Sequence, residues 1–243
     1  MNTIKFERAG ANVRMIAHRG VSALETENTC AAFVAAGSRS YYGVETDVHV
    51  SADGQFIIFH DDNTLRVGKE DHVIEQTPAQ ILRAMVLTDL DGGGKTRSDL
   101  KIPVLGEYIR ICCKYEKECV LELKNPMTPD AIAGIVQDIC SEGWLEHVIF
   151  ISFVHQNLVE LRRMLPEARL QFLTGDPADE ALLAKLEPWR LDLDICYTAL
   201  AQQGLELMHA HGVEVNCWTV DDPVTAQMLS NWGVDYITSN ILE

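Results

Sequence analysis

The chain has no apolar run of about 18 residues, the length a helix needs to cross a bilayer. Its opening stretch, MNTIKFERAGANVRM, holds no apolar segment long enough for a secretion signal, so the cytoplasm is the expected compartment. Positive charge is scarce: 20 Lys and Arg stand against 36 Asp and Glu, a formal net charge of −16. Nucleic-acid binders and peripheral membrane proteins need an excess of Lys and Arg at the contact, so neither nucleic acid nor stable membrane association is expected. An anionic ligand would have to be met by a local group of cations. The 7 cysteines show neither even pairing nor metal-ligand spacing, and Cys30, Cys119, Cys140 and Cys196 sit in apolar runs, as reduced core residues do. No glycine-rich phosphate turn follows the first strand candidate, which weighs against an open doubly wound nucleotide-binding sheet.

With 243 residues and 47% hydrophobic content, the sequence can form a large core within one domain, and a single domain over 1–243 is the expectation. A short apolar run at 13–17 ends in His18-Arg19-Gly20 and reads as a buried strand feeding a loop; a helix follows, capped by Asn28 or Thr29. From 104 onward helix and strand candidates alternate: 105–114 then 119–123, 129–142 then 148–153, 157–165 then 170–173. The pattern continues as 178–186 then 191–196, 199–211 then 213–220, and 223–232 then 236–238. Such alternation means parallel strands covered by helices. If 56–59 is the hairpin partner of 44–50, eight parallel strands remain, and the predicted fold class is α/β, a (β/α)8 TIM barrel. The stretch 62–103 interrupts the alternation with one short helix opening at Thr77-Pro78 and a flexible loop at Asp91-Gly92-Gly93-Gly94. It reads as a small insertion after the hairpin that follows the second strand.

The chemistry is concentrated at 44–61, VETDVHVSADGQFIIFHD. Glu45 and Asp47 are two apart in a strand, so both carboxylates face one side, and two acids on one face need a cation. A turn centred between Ala52 and Asp53 would put Glu45 opposite His60 and Asp47 opposite Ile58, as a hydrolytic metal site requires. A solvent-facing acidic strand ending in a turn histidine fits the same residues. Glu122 and Lys124 repeat the spacing of two, either as a site pair or as a structural ion pair. Barrel enzymes place their chemistry at the C-terminal ends of the strands. His18 and Arg19, Glu122 and Lys124, Ser152 and Phe153, and Trp218 all fall at such ends, with Phe153 and Trp218 as candidates for the substrate pocket.

Taken in order, Ala17-His18-Arg19-Gly20, Glu27-Asn28-Thr29, Glu45-Thr46-Asp47-Val48, Asp53-Gly54, His60-Asp61-Asp62, Ile102-Pro103-Val104-Leu105, Glu122-Leu123-Lys124, Ser152-Phe153, Trp218-Thr219-Val220 and Gly233-Val234-Asp235 resemble the glycerophosphodiester phosphodiesterases. The resemblance covers nearly the whole chain. It implies a (β/α)8 barrel that hydrolyses a small glycerophosphodiester to glycerol 3-phosphate and an alcohol. It also implies roles: Glu45, Asp47 and Glu122 would hold one divalent cation, Mg²⁺ or Ca²⁺ since an all-carboxylate set favours a hard ion, His18 and His60 would be general base and acid, and Arg19 and Lys124 would hold the phosphate. Two departures stand out. After His60 the family's usual Thr-Leu-x-Arg-Thr with a Gly-x-Gly is replaced by Asn63-Thr64-Leu65-Arg66-Val67-Gly68-Lys69, and Thr238 is followed by Ser239 where the family commonly has Asp. The insertion is expected to shape the alcohol side of the pocket. A lyase forming a cyclic phosphate from a lysolipid, and a barrel that binds phosphodiesters without cleaving them, are the competing functions; the oligomeric state is left open.

Overall fold

Residues 2–6, 13–90 and 97–243 are described in the computed structural model of the chain; the run Asp91-Gly92-Gly93-Gly94 lies outside the described residues. Among the described residues nine strands form one sheet: β1 Arg14–Ala17, β2 Gly43–Val50, β3 Phe56–Ile58, β4 Glu118–Leu123, β5 Val148–Ser152, β6 Arg169–Thr174, β7 Asp192–Cys196, β8 Val215–Trp218 and β9 Tyr236–Ser239. Their order is β1-β9-β8-β7-β6-β5-β4-β2, and β1 also pairs with β2, so eight parallel strands close on themselves. The fold is a (β/α)8 barrel, as the alternation predicts. Among these described strands only β3 runs antiparallel, hydrogen-bonded to β2 outside the closed ring.

Each crossover is set by local chemistry. Helix α1 spans Cys30–Gly37 and takes Thr29 as its cap, the side chain accepting from Ala32 N at 3.2 Å. Two short helices follow in the insertion, α2 Leu65–Gly68 and α3 Ala79–Ala84. Past it, α4 Leu105–Lys114, α5 Pro129–Ser141, α6 His155–Met164, α7 Glu180–Leu186, α8 Gln202–Ala210 and α9 Pro223–Trp232 coat the barrel. The sequence logic is clearest in α9. Asp222 caps it, Pro223 occupies a first-turn position where no N–H is needed, and Gly233 ends it at φ +96°.

The hairpin register differs from the one expected by one residue. Val48 pairs with Ile58 and Val50 with Phe56, which places Asp47 opposite Phe59, whose N–H donates to Asp47 O at 3.0 Å. The cause is a three-residue connection, Ala52-Asp53-Gly54, with Gly54 at φ +78°. Ser51 Oγ closes it by bonding Asp53 at 2.6 Å and accepting from Gln55 N at 2.9 Å. A turn ending in a left-handed glycine adds one residue to the tight two-residue hairpin. His60 therefore stands beyond the ladder rather than across from Glu45.

The apolar residues divide into separate layers. Outward-facing strand residues such as Val44, Leu121, Phe150 and Leu193 pack under the helices, while Ile16, Val120, Ile149, Ile151 and Leu173 fill the barrel interior. A third cluster belongs to the insertion: Val67, Ile74, Leu82, Met85, Leu87, Leu100 and Ile102 close over Ile57 and Phe59 of the hairpin. The segment thus covers the hairpin's otherwise open apolar face. Besides the helix expected after Thr77-Pro78 it contains α2 and a 3₁₀ turn at Ile74–Gln76, both too short to leave a periodic pattern in the sequence.

Candidate active site

The C-terminal ends of β1, β2 and β4 converge on three buried carboxylates. One oxygen from each of Glu45, Asp47 and Glu122 lies within 4.8 Å of the others. Glu45 and Asp47 share the inward face of β2, and β4 lies beside that strand with Glu122 in register with Asp47. Lys124 reaches over the group, its Nζ 2.9 Å from Glu122 Oε1 and 3.5 Å from Asp47 Oδ1. Arg19 closes the other side. Its backbone N donates to Glu45 Oε2 at 2.8 Å, and its Nε lies 3.8 Å from Asp47 Oδ2. That reach depends on a left-handed backbone, φ 52° at Arg19, a strain borne here at the site itself.

Burial and mutual repulsion set the charges. Removal from water and the neighbouring Asp47 push Glu45 well above the usual carboxylate range, and the same two causes raise Glu122 to about 8. Asp47 goes the other way: burial opposes its ionisation, but Lys124 and Arg19 outweigh it and hold the carboxyl below its ordinary value. Asp47 Oδ1 is nonetheless buried with no hydrogen-bond partner among the described residues. A hard, oxygen-seeking divalent cation fits this set, since it would satisfy that oxygen and relieve the repulsion that raises Glu45 and Glu122.

The two histidines are held differently. His18 Nδ1 lies 2.7 Å from Asn240 Oδ1, and its Nε2 points to the carboxylates, 3.9 Å from Glu45 Oε2. Asn240 cannot be turned over, because its Nδ2 donates to Asp221 at 2.6 Å while its Oδ1 also accepts from Ser22. His18 Nδ1 is therefore the donor and its Nε2 the acceptor. Burial, assisted by Arg19, lowers His18 to about 4. His60 Nδ1 instead meets the carboxylate of Asp61 at 2.6 Å. Burial lowers its pKa as well, while Asp47 and Asp61 pull it back up.

The pocket beside these groups is lined by His18, Arg19, Glu45, His60, Glu122, Phe153, Asp194, Trp218 and Thr238 among others. Phe153 and Trp218 meet edge to face at 5.7 Å between ring centroids and form one wall. Asp47 and Lys124 sit behind the lining, in contact with it. The nine residues expected as metal ligands, phosphate contacts, acid and base, or pocket wall thus share one rim. The insertion does not: none of the described lining residues comes from 62–103, so its expected place on the alcohol side is not observed. It acts on the rim through Arg66, which pairs with Asp61 at 2.7 Å and with Glu27 at 2.7 Å, and Glu27 in turn holds Arg19 at 2.9 Å.

Sequence reasoning missed several of these supports. Asn28 is not the helix cap; its Nδ2 donates to Asp47 Oδ2 at 2.8 Å and its Oδ1 accepts from Thr46 at 2.6 Å. Its φ of 53°, a value asparagine tolerates better than most residues, turns the side chain inward. Ser239 also matters more than a rim contact: its carbonyl accepts from His18 N at 2.9 Å and its hydroxyl donates to Asp221 at 2.9 Å.

Chemistry gathered at the C-terminal rim of a closed (β/α)8 barrel is the layout of an enzyme of that architecture. The sequence matches the Glycerophosphoryl diester phosphodiesterase family over residues 18–242, and the chain belongs to that family. It is 25% identical over 238 residues to a glycerophosphodiester phosphodiesterase of Caldanaerobacter subterraneus subsp. tengcongensis, a match covering 93% of each chain. Among solved structures it is similar to an Oleispira antarctica phosphodiesterase in complex with its product sn-glycerol-3-phosphate, with 29% identity, a TM-score of 0.84 and coverage of 94% of this chain and 93% of that one. A glycerophosphodiester phosphodiesterase from Parabacteroides distasonis is similar at 25% identity and a TM-score of 0.78, over 96% of this chain and 94% of that one.

Proposed function

We propose that the chain hydrolyses glycerophosphodiesters to glycerol 3-phosphate and an alcohol, with one divalent cation, Mg²⁺ or Ca²⁺, held by Glu45, Asp47 and Glu122. The observation that carries this reading is the convergence of those three carboxylates within 4.8 Å, with Asp47 Oδ1 buried and without a hydrogen-bond partner among the described residues. Family membership and the product bound to the Oleispira relative support the reaction.

The cation, when bound, supplies positive charge to the phosphoryl oxygens as negative charge builds on them. Arg19 and Lys124 flank the same oxygens and hold the phosphate by charge-assisted hydrogen bonds. His18 is the base. Its Nδ1–H is committed to Asn240, which leaves a neutral Nε2 facing the carboxylates and ready to take a proton from the attacking water. His60 is the acid: Asp61 at 2.6 Å from Nδ1 steadies its protonated form, and Nε2–H then delivers a proton to the departing alkoxide. Phe153 and Trp218 give the substrate an apolar wall. One proton enters at His18 and one leaves at His60, so free enzyme is restored by exchange with solvent.

The protein works on a small molecule in solution. Seven free cysteines suit a reducing cytoplasm, and no helix among the described residues is long and apolar enough to cross a membrane. The test is a panel of glycerophosphodiesters differing in the alcohol, assayed enzymatically for free glycerol 3-phosphate. Release from several members supports the reading. Binding without release, or a cyclic phosphate as the only product, contradicts it.

A further inference from the structure

The pocket contains a carboxyl that none of the steps above employs. Asp194 lies on β7 between Leu193 and Ile195, which both pack in the core under the helices, so its own side chain points into the barrel. Its neighbours in register are Leu173 on β6 and Asn216 on β8. It is 2% exposed, it lines the same pocket as Glu122, Trp218 and Thr238, and its Oδ1 is buried with no hydrogen-bond partner among the described residues. A buried oxygen left without a partner is rare and costly to fold, and such groups are kept where a ligand completes them. A cation held by Glu45, Asp47 and Glu122 would not account for it, because Asp194 is outside the group of ligand atoms lying within 4.8 Å of one another.

We infer that Asp194 is a specificity-determining residue that binds a free hydroxyl of the substrate's glycerol arm; the inference rests on the function proposed above. A hydroxyl both donates and accepts, so it pairs with a carboxyl in either protonation state. Leu173, Trp218 and Thr238 line the pocket with Asp194, and its charged neighbour there is another acid, Glu122, so this part of the pocket suits an uncharged polyol rather than an anionic group. Depth assigns the arm. The alcohol that varies between substrates must leave by the mouth, where Phe153 is 47% exposed, whereas the glycerol arm is common to every substrate and fits the buried side.

Two substrates decide it: glycerophosphoethanolamine, and propylphosphoethanolamine, in which both free hydroxyls are replaced by hydrogen. Wild-type enzyme supplied with Mg²⁺ is expected to prefer the glycerol compound by about 10- to 100-fold in kcat/KM, the range of one hydrogen bond to a charged or carboxyl group. Asp194→Val should erase that preference by lowering kcat/KM for glycerophosphoethanolamine, with only a small fall on the propyl analogue. Asp194→Asn, which can still bond a hydroxyl, should retain part of it. The melting temperature of the Val variant should stay at or above wild type, since an unpartnered carboxyl is replaced by an apolar group of similar size. An equal fall on both substrates would make Asp194 merely structural, and an undiminished preference in Asp194→Val would remove it from recognition; either overturns the inference alone. A wild type that turns over both compounds without preference also overturns it while leaving the hydrolase standing. A wild type inactive on both, with Mg²⁺ or Ca²⁺, overturns the proposed function and the inference together.

Discussion

In the proposed mechanism His18 and His60, two identical side chains, take opposite tasks because of what binds their Nδ1: an amide oxygen that fixes a neutral tautomer, or a carboxylate that favours the cation. Replacing either by Ala should cost about 10² to 10⁴ in kcat on a natural glycerophosphodiester, with the fold intact. A glycerol nitrophenyl phosphodiester, whose leaving group needs no proton, should rescue the His60 variant and not the His18 variant; steady-state kinetics on both substrates checks the assignment, and rescue of the His18 variant alone would reverse it. Asn240→Ala should act through His18, lowering kcat by freeing the ring to take the wrong tautomer, with little change in KM. Away from the rim, burial raises Asp192 to about 6, and its Oδ1 accepts from Glu214 N at 2.9 Å. Because the folded value lies above the unfolded one, this residue's stabilisation is complete below about pH 4 and is lost as pH rises through about 6. Asp192→Asn keeps the acceptor and removes the titration, so it should gain on the order of 2 kcal/mol at pH 7 and nothing at pH 4, measurable as melting temperature across that range.

At the level of elements, most of the barrel was legible because helices with a 3.6-residue apolar period and short β-branched strands alternate without interruption from 104 onward. What could not be read follows from the same physics. A hairpin's register depends on whether its turn holds two residues or three, and Gly54 decided that through its backbone angle rather than through any apolar pattern. Asn28 reads as a cap because it precedes a helix, and nothing local reveals that it faces Asp47 on β2. The Asn240–Asp221 support joins two loops that only the closed barrel brings together. The insertion is joined to the hairpin by its apolar cluster and to the site by Arg66. Leu82→Ala, at a fully buried position of that cluster, should cost about 2 to 5 kcal/mol in denaturant unfolding. Arg66→Ala should instead leave stability nearly unchanged and lower activity, because Arg66 links Asp61 behind His60 to Glu27 behind Arg19. A large stability loss in the Arg66 variant would make that link structural.

For the molecule as a whole, a net charge of −16 with three carboxylates buried together makes the ion-free state electrostatically strained. A ligand that binds only the folded state stabilises it by about 2.7 kcal/mol at one hundred times its Kd, and for a chain of this size each kcal/mol shifts the melting point by about 2 to 4 °C. Mg²⁺ or Ca²⁺ should therefore raise the melting temperature of the wild type by about 5 to 10 °C, and Asp47→Ala should abolish the rise. With an overall negative field, the proposed substrate's anion would have to be met locally, by Arg19 and Lys124, rather than by the surface. The most direct test of the account is phosphorus NMR of glycerophosphoethanolamine incubated with the wild-type protein, first in excess chelator and then after Mg²⁺ or Ca²⁺ is restored. The account predicts no change in the diester resonance under chelation and conversion to glycerol 3-phosphate once the cation returns. Full turnover in excess chelator would contradict it.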